Sequence, residues 1–448
     1  MMYAGLLRSC RVCSLAAATL LAPGLTQAGM GNIGTTYGVL PSDIASAQAL
    51  SMFSDQVSVT YYNPAYLTND PRGELTAGLL HSEQELRAAS NQRDGDVVSS
   101  TPTEHVLLGL KTDLGTLTQF DHPINLGVLA GVEKYGGEML AFSSETSETG
   151  QFLDYGRQPL FLNIGGGTRL WRGIHAGASL RVTLQAKADL NAEANLAGET
   201  QEEELQVNAE PEFRPIASVN VHWGDTLCPD SSCLLDGFET ALSYRAESAS
   251  STTIDSNITV PTAGIEEEEP LVLDITTIDS FQPEIATLGL QYRGENWRAG
   301  GSVEFQRWSR LSDEFEDDTI KNQESVSVDR RLQFQDIWVP RIGGEYDLNQ
   351  FLSITGGLAY EESALETTES PEVNYFDNDR IVAGLGLSAR IDEPWLLAFP
   401  IQVNAAYQYH HLRDREFGVI PFGEDEPDEF VETDGDIHAF SASVTFRF

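Results

Sequence analysis

Positive charge, cysteine and long apolar runs are all scarce in this chain, and each shortage closes off a class of protein. Only four lysines occur, Lys111, Lys134, Lys187 and Lys321, and the formal net charge of the 448 residues is −41. Nucleic acids and anionic surfaces are bound by basic faces, so no nucleic-acid partner is expected. Of the four cysteines, Cys10 and Cys13 lie near the start of the chain. The others, Cys228 and Cys233, frame Cys-Pro-Asp-Ser-Ser-Cys. In an oxidising compartment this pair is expected to form one short disulfide that pins a turn. Zinc would need two further ligands, and only His222 is close in sequence, so no metal and no cofactor are expected. Neither Gly-x-Ser-x-Gly nor His-Glu-x-x-His occurs among the 448 residues, and on an extended strand the adjacent His410 and His411 would point to opposite faces. An enzyme is therefore not expected. Beyond residue 28, no run approaches the roughly 18 consecutive apolar residues that a membrane helix needs.

The two ends of the chain carry the positive signals. Arg8 and Arg11 precede an apolar stretch over residues 12–25, followed by Thr26-Gln27-Ala28, which is the pattern of a secretory signal peptide. Cleavage after Ala28 leaves 420 residues and moves the charge to −43, because the two arginines go with the leader. An exported chain with no spanning helix is either soluble or a barrel. At the other end, Phe448, Phe446, Val444, Ala442 and Phe440 alternate with Arg447, Thr445, Ser443, Ser441 and Ala439. One face is apolar with aromatic ends and the other is small and polar, as in a strand with lipid outside and water inside. The edge strand of a soluble β-sandwich would look similar in isolation.

From Arg72 onward the theme recurs as alternating runs of about ten residues, each followed by a turn. Ala176, Ala178, Leu180, Val182 and Leu184 oppose Ser179, Arg181, Thr183, Gln185 and Lys187, and residues 380–391 and 401–409 alternate in the same way. An arginine facing lipid at mid-membrane would cost about 2–4 kcal/mol, so the arginines are expected to face the lumen. Connections alternate between short ones, such as 170–173, 294–297 and 346–350, and long ones, such as 82–100, 189–210, 249–278, 311–331, 361–377 and 413–436. With Phe448 on the periplasmic side, the long connections are the outer loops. Their acidic runs, 266–269 and 424–429, read as solvated charge. The count is fourteen strands: 72–86, 101–114, 123–140, 157–170, 174–187, 212–223, 238–247, 281–293, 297–310, 334–348, 351–361, 378–391, 401–412 and 437–448. The expected fold is thus all-β: a transmembrane antiparallel β-barrel of fourteen strands over residues 72–448.

Residues 29–71 are too long for a tail and too short for a domain, and the lumen is their only evident burial partner. They contain Gly29, Gly31, Gly34 and Gly38, then a small-residue stretch at 45–50 expected to be helical, then Tyr62-Asn63-Pro64-Ala65-Tyr66 just before the first strand. A glycine-rich start, a small-residue helix and an Asn-Pro-Ala turn ahead of a fourteen-strand pattern resemble the hatch of the FadL/TodX (OmpP1) family. Tyr66 departs from that pattern, since many relatives carry glycine there. The terminal Phe448 strand likewise resembles the segment that the barrel-assembly machinery reads.

The resemblance implies an outer-membrane transporter for long-chain fatty acids, alkanes or aromatic hydrocarbons. It further implies capture among the outer loops, a site against the hatch, and sideways exit through a kink in the third strand. Gly136 and Gly137 are the candidate kink, although glycine is also ordinary in barrel strands. Arg181, Lys187, Arg214, Arg245, Arg341 and Arg380 are the lumen cations that could meet a carboxylate, unless they pair with lumen acids such as Glu304 and Glu345. The candidate loop groove comprises Leu190, Leu196, Leu205, Val260, Ile265 and Leu271, which could equally be ordinary loop packing. The implied partners are a hydrophobic small molecule, the outer membrane with its lipopolysaccharide, and the assembly machinery; a monomer is expected. A general porin or a surface receptor or adhesin would share the barrel without needing the plug.

Overall fold

The computed structural model describes residues 33–92, 102–115, 122–134, 160–194, 200–229, 233–259, 271–312, 333–370, 376–392, 399–420 and 426–448. Side chains within 184–194, 200–210, 249–259 and 271–280 are outside this description. The expected leader at 1–28 lies outside it altogether, as do Gly136, Gly137, Leu196, Val260 and Ile265.

Fourteen strands form the wall. They are β1 (Glu74–Ser90), β2 (Thr103–Asp113), β3 (Ile124–Lys134), β4 (Leu160–Trp171), β5 (Ile174–Ala194), β6 (Thr200–His222) and β7 (Phe238–Arg245). The second half is β8 (Glu284–Arg293), β9 (Trp297–Arg307), β10 (Ile337–Asn349), β11 (Leu352–Glu361), β12 (Arg380–Ile391), β13 (Ile401–Val419) and β14 (Glu429–Arg447). Each pairs antiparallel with the next. The barrel closes where β1 meets β14, from Glu74 opposite Arg447 to Ser90 opposite Val431. Closure removes the sheet edges that could not survive in hydrocarbon.

The side-chain alternation follows directly. On β14 the outward row includes Phe440 and Val444, both exposed to lipid, while Ser441, Ser443 and Thr445 are buried inward. Trp171, Trp297, Tyr346, Phe351, Phe399 and Phe448 form an exposed aromatic belt at the periplasmic rim. Phe213, Tyr244 and Trp338 mark the outer one. Paired girdles of this kind anchor a barrel at its two interfaces.

Three long connections expected as loops are largely strand. β5 and β6 stay paired out to Glu193 opposite Glu202, and β13 and β14 out to Val419 opposite Glu429. Between β7 and β8, Ser248–Thr259 and Leu271–Gln282 form a hairpin whose first strand lies parallel to the outer part of β5. Above the hydrocarbon the outward face no longer has to be apolar. Glu83, Glu85 and Arg87 face outward on β1 past the apolar Leu75 and Leu79. The alternation in sequence fades there although the hydrogen-bond ladder continues. Glu429 is not solvated charge: it is buried, and its carboxylate accepts a hydrogen bond from the Ser90 hydroxyl.

Residues 33–73 fill the lumen as short helices, α1 (Ile33–Thr36), α2 (Pro41–Ala45) and α3 (Val59–Tyr62), with single 3-10 turns at Ser51–Phe53 and Pro64–Thr68. Of the stretch 45–50, only Ala45 is helical. α2 stops at Ala45, and Ala47 and Gln48 take left-handed backbone angles (φ 48° and 65°). The cause is the wall. The positions a Cβ would take on Gly357 and Gly384 are 2.0 Å from Ser46 O and 2.4 Å from Ile44 O, so the hatch backbone lies directly on the sheet. A second glycine patch lies under the Asn-Pro-Ala turn. Cβ positions on Gly167 and Gly177 fall 2.3 Å from Pro64 O and 2.2 Å from Ala65 N.

Candidate functional site: a lumen apolar outside and polar below

The lumen changes character along the strands. Near the periplasm the inward residues are Thr445, Ser443, Thr76 and Asn404, and a cavity of about 620 Å³ opens there between the hatch and β9–β13. Ser42, Asp55, Arg298 and Thr355 are among its lining residues. Nearer the outer surface the inward residues become Leu86, Val339, Leu412, Val431 and Ile437, all buried. The loops supply Trp308, Leu311, Phe334, Leu365 and Phe376 to the same cluster, and the hatch supplies Ile33, Tyr37 and Ile44 from beneath. The upper lumen is thus an apolar chamber filled by these packed side chains, between a roof of outer loops and a floor of hatch.

The roof is fastened. Phe334 bridges to Leu365, and Arg415 donates to Leu365 O at 2.6 Å and to Asp377 O at 2.8 Å. Phe376 packs on Phe417 with ring centroids 5.0 Å apart. The floor is fastened too. Tyr37 shares a hydrogen bond with Ser82 (2.9 Å), and Gln408 donates to Tyr37 O (3.2 Å) and Ile44 O (3.0 Å).

The hatch's other half is held by charge. Buried Lys111 donates to Asp55 O at 2.7 Å and lies 3.7 Å from the Glu74 carboxylate, which accepts Val57 N. Arg298 donates to Phe53 O at 2.8 Å, and Arg293 lies 3.7 Å from Asp55. Burial alone would raise Asp55, but Arg293 and Arg298 hold its carboxyl down at about 2. Within the motif, Asn63 donates to Met52 O at 2.7 Å, Pro64 abuts the glycine patch, and Ala65 N donates to the Ser218 hydroxyl at 2.9 Å.

Asp43 is the opposite case. Its Oδ2 accepts Leu40 N at 3.0 Å, Oδ1 has no hydrogen-bond partner among the described residues, and burial raises its pKa to about 6. The unfolded carboxyl ionises near 3.8 while the folded one keeps its proton until about 6. Asp43's contribution to hatch stability is thus full below about pH 4 and is lost as pH rises through 6, by on the order of 3 kcal/mol for a fully buried group. Asp43→Asn should flatten that dependence, read as protease protection of the hatch between pH 4 and pH 7. An unchanged pH profile in the variant would contradict it.

The expected lumen cations separate cleanly. Arg181, Arg214, Arg245, Arg341 and Arg380 all face inward and are buried, as alternation predicts. Arg181 pairs with Glu133 at 2.7 Å, and Arg245 and Arg341 share Glu304 at 2.6 and 3.2 Å. Arg380 pairs with Glu361 at 2.9 Å. Arg214 instead donates to neutral acceptors, the carbonyls of Ala246 and Pro283 and the Gln282 amide oxygen. Arg181 and Arg245 also lie over the Tyr61 ring of the hatch at 5.6 and 5.1 Å. Glu345 pairs with Arg298 at the periplasmic end, not with this belt. The backbone of Lys187 is on β5 opposite Asn208. Of the groove candidates, Leu190 and Leu205 are directly paired on β5 and β6, and Leu271 stands opposite Ile258 in the hairpin, so they belong to strands, not loops. Cys228 and Cys233 are joined as a disulfide in the periplasmic turn between β6 and β7. The apolar chamber escaped the sequence reading. Its signal was present as a switch in the inward row of β14, from Thr445, Ser443 and Ser441 to Ala439 and Ile437.

A closed fourteen-strand barrel with aromatic girdles and a lumen plugged from the N-terminal side defines a plugged outer-membrane barrel. The sequence profile of the outer membrane protein transport protein family (OMPP1/FadL/TodX) matches residues 238–448. Alkane uptake protein A of Marinobacter nauticus is 58% identical over 427 residues, covering 94% of this chain and 93% of its own. Among solved structures, a Pseudomonas aeruginosa FadL homologue superposes with a TM-score of 0.61 at 12% identity, covering 94% of this chain and 99% of its own. The P. putida toluene transporter TodX gives 0.55 at 14% identity, covering 92% and 99%. The chain belongs to the OMPP1/FadL/TodX family, and it is an outer-membrane transporter of hydrophobic compounds.

Proposed function

We propose that the chain carries neutral long-chain alkanes inward, by passive diffusion through the apolar chamber and past a displaced hatch. The observation that carries this reading is the apolar cluster that fills the upper lumen, in which Val339, Leu412, Val431 and Ile437 stand where a barrel lumen is usually polar. An alkane offers nothing to hydrogen-bond, and its transfer from water gains roughly 0.8 kcal/mol per buried CH₂. The alkane uptake protein that this chain resembles over nearly its full length supports the same substrate class. The test is growth and labelled-hexadecane uptake in a strain lacking this chain, complemented with the wild type or with a chain whose chamber is made polar.

A second reading, a fatty-acid anion, draws on one feature. The belt holds five guanidinium groups against the three carboxylates of Glu133, Glu304 and Glu361. A ligand carboxylate would complete it most directly at Arg214. Arg214→Met separates the two readings: palmitate uptake would fall by about tenfold or more if the anion binds there, the loss of one charge-assisted bond. The alkane reading expects hexadecane uptake within about twofold of wild type.

The remaining assignments belong to the same proposal. Residues 1–28 direct export, and Gly136-Gly137 are the bend for sideways exit. The β5–β6 extension and the neighbouring hairpin carry the capture surface, with Leu190, Leu196, Leu205, Val260, Ile265 and Leu271. Asn63-Pro64-Ala65 seats the hatch. The protein acts as a monomer among lipopolysaccharide after the assembly machinery reads the strand ending at Phe448.

A further inference from the structure

The two adjacent histidines of β13 divide between the faces of the wall. His411 points outward, is exposed, and shares a hydrogen bond with the Asp436 carboxylate at 2.9 Å. His410 points inward and is fully buried. Directly opposite it stand Ile437 on β14 and Val382 on β12, both buried, and its ring lies 5.2 Å from that of Tyr37 in the hatch. Leu412, two residues further out on the same face, belongs to the apolar cluster of the upper lumen, as do Ile437 and Tyr37. An imidazole therefore sits at the floor of the chamber, where hatch and wall meet.

The hydrogen bonds around this ring fix which of its nitrogens carries the proton. The Gln408 amide nitrogen donates to two hatch carbonyls, Tyr37 O at 3.2 Å and Ile44 O at 3.0 Å. A carbonyl only accepts, so the amide NH₂ must face the hatch and Gln408 Oε1 must face His410, whose Nε2 is 2.8 Å away. An amide oxygen only accepts as well, so Nε2 carries the hydrogen. The ring's hydrogen bond is to a neutral amide, and a buried ion without a counter-charge is disfavoured, so the imidazole is neutral. Nδ1 is then a bare acceptor. It is buried and has no hydrogen-bond partner among the described residues. Buried acceptors are ordinarily satisfied, yet this one stands among Val382, Leu412 and Ile437, which have nothing to donate.

We propose that His410 Nδ1 accepts a hydrogen bond from the terminal hydroxyl of a long-chain primary alcohol, so that the chamber takes alkan-1-ols alongside alkanes. The proposal rests on the reading that the chamber is the transport path. The alkyl chain lies among the same apolar side chains that an alkane would meet, and only the hydroxyl needs a partner. An alcohol brings one donor hydrogen, which is what Nδ1 lacks. An ether or a carboxylate brings acceptors only, and two facing lone pairs repel, so the same atom discriminates against both. Entering the chamber without that bond would leave the hydroxyl itself desolvated and unpaired.

The experiment compares 1-hexadecanol with hexadecyl methyl ether, which has the same chain and an oxygen but no donor. Initial uptake of each labelled compound is measured in cells producing the full chain, the rate of the deletion strain is subtracted, and the two rates are taken as a ratio. Changes in hatch opening or in the amount of protein cancel in that ratio, because both compounds share them. The wild type is expected to favour the alcohol by about tenfold, the worth of one hydrogen bond to an otherwise unpaired buried group. His410→Phe keeps a ring beside Tyr37 and removes the acceptor, and its ratio should fall to within about twofold of unity. Heat-modifiable mobility checks folding, and His410→Leu takes its place where the phenylalanine does not fold. A wild-type ratio near one, or a high ratio that persists in the variant, would overturn the proposal. Hexadecane entry in the same wild-type cells reports on the transport reading separately: entry that depends on the chain, with no preference for the alcohol, would sink the hydroxyl site alone.

Discussion

Gly177→Val should leave the barrel unable to close around its hatch. The added side chain begins 2.2 Å from Ala65 N and 2.3 Å from the Pro64 carbonyl carbon, and backbone atoms at that distance cannot yield by a rotamer change. The wall strand is held on both sides by its ladders, opposite Gly167 on β4 and Ser218 on β6, so the hatch is the part that must move. Losing that seat also removes the Ala65–Ser218 hydrogen bond and loosens the contact between Thr68 and His175. The expected result is a steady ion-conducting pore in planar bilayers, where the wild type is expected to stay closed, together with raised sensitivity of cells to large antibiotics. Gly356→Ala is the matched control, because its nearest foreign atom would be 3.6 Å away, an ordinary contact. A closed lumen in Gly177→Val would mean that the Asn-Pro-Ala turn is not what seats the plug.

Ile437→Asp should abolish hydrophobic uptake while leaving the barrel assembled. Ile437 is fully buried in the chamber, on β14 opposite Gln84 of β1 and His410 of β13. A carboxylate there is desolvated on the ligand's path, and an ion buried without a partner costs several kcal/mol. It would either draw water into the chamber or take up a proton, and an alkane finds an apolar continuous path in neither case. A loss of alkane uptake of about 100-fold corresponds to roughly 2.7 kcal/mol. Ile437→Val, which removes one methylene, should cost no more than a few-fold. Heat-modifiable mobility separates a failed chamber from a failed barrel. Uptake that survives Ile437→Asp would place the path elsewhere in the lumen.

The same two sites show what the sequence could and could not reveal. In the part of each strand that crosses hydrocarbon, lipid demands an apolar outward row, so period two was legible and placed Arg181, Arg214, Arg245, Arg341 and Arg380 in the lumen correctly. Beyond the outer girdle that demand lapses. Residues 189–194 and 200–210 therefore looked like loop although they are paired strand. The plug was legible from its length and from Asn63-Pro64-Ala65, but its backbone was not. The left-handed turn at Ala47-Gln48 is imposed by close approach to Gly357 and Gly384, more than 300 residues away in sequence. The chamber was hidden for a related reason. Val339, Leu365, Phe376 and Ile437 come from separate strands and loops, and only the closed barrel makes them one surface.

The pairing of the arginine belt bears on substrate chemistry as well. Four of its five guanidinium groups already face carboxylates of the wall, so their presence alone does not call for an anionic ligand. The contacts of Arg181 and Arg245 with Tyr61 give those two a second task, holding the hatch by its ring.

The measurement that bears most directly on the central claim is the initial rate of labelled-hexadecane uptake by cells in which this chain has been deleted and then restored. A hatch-gated hydrophobic channel predicts that the wild-type chain restores hexadecane entry while the entry of a small hydrophilic solute stays unchanged. Hexadecane entry that ignores the chain, with hydrophilic entry rising as it is expressed, would make the protein a general pore and contradict the account.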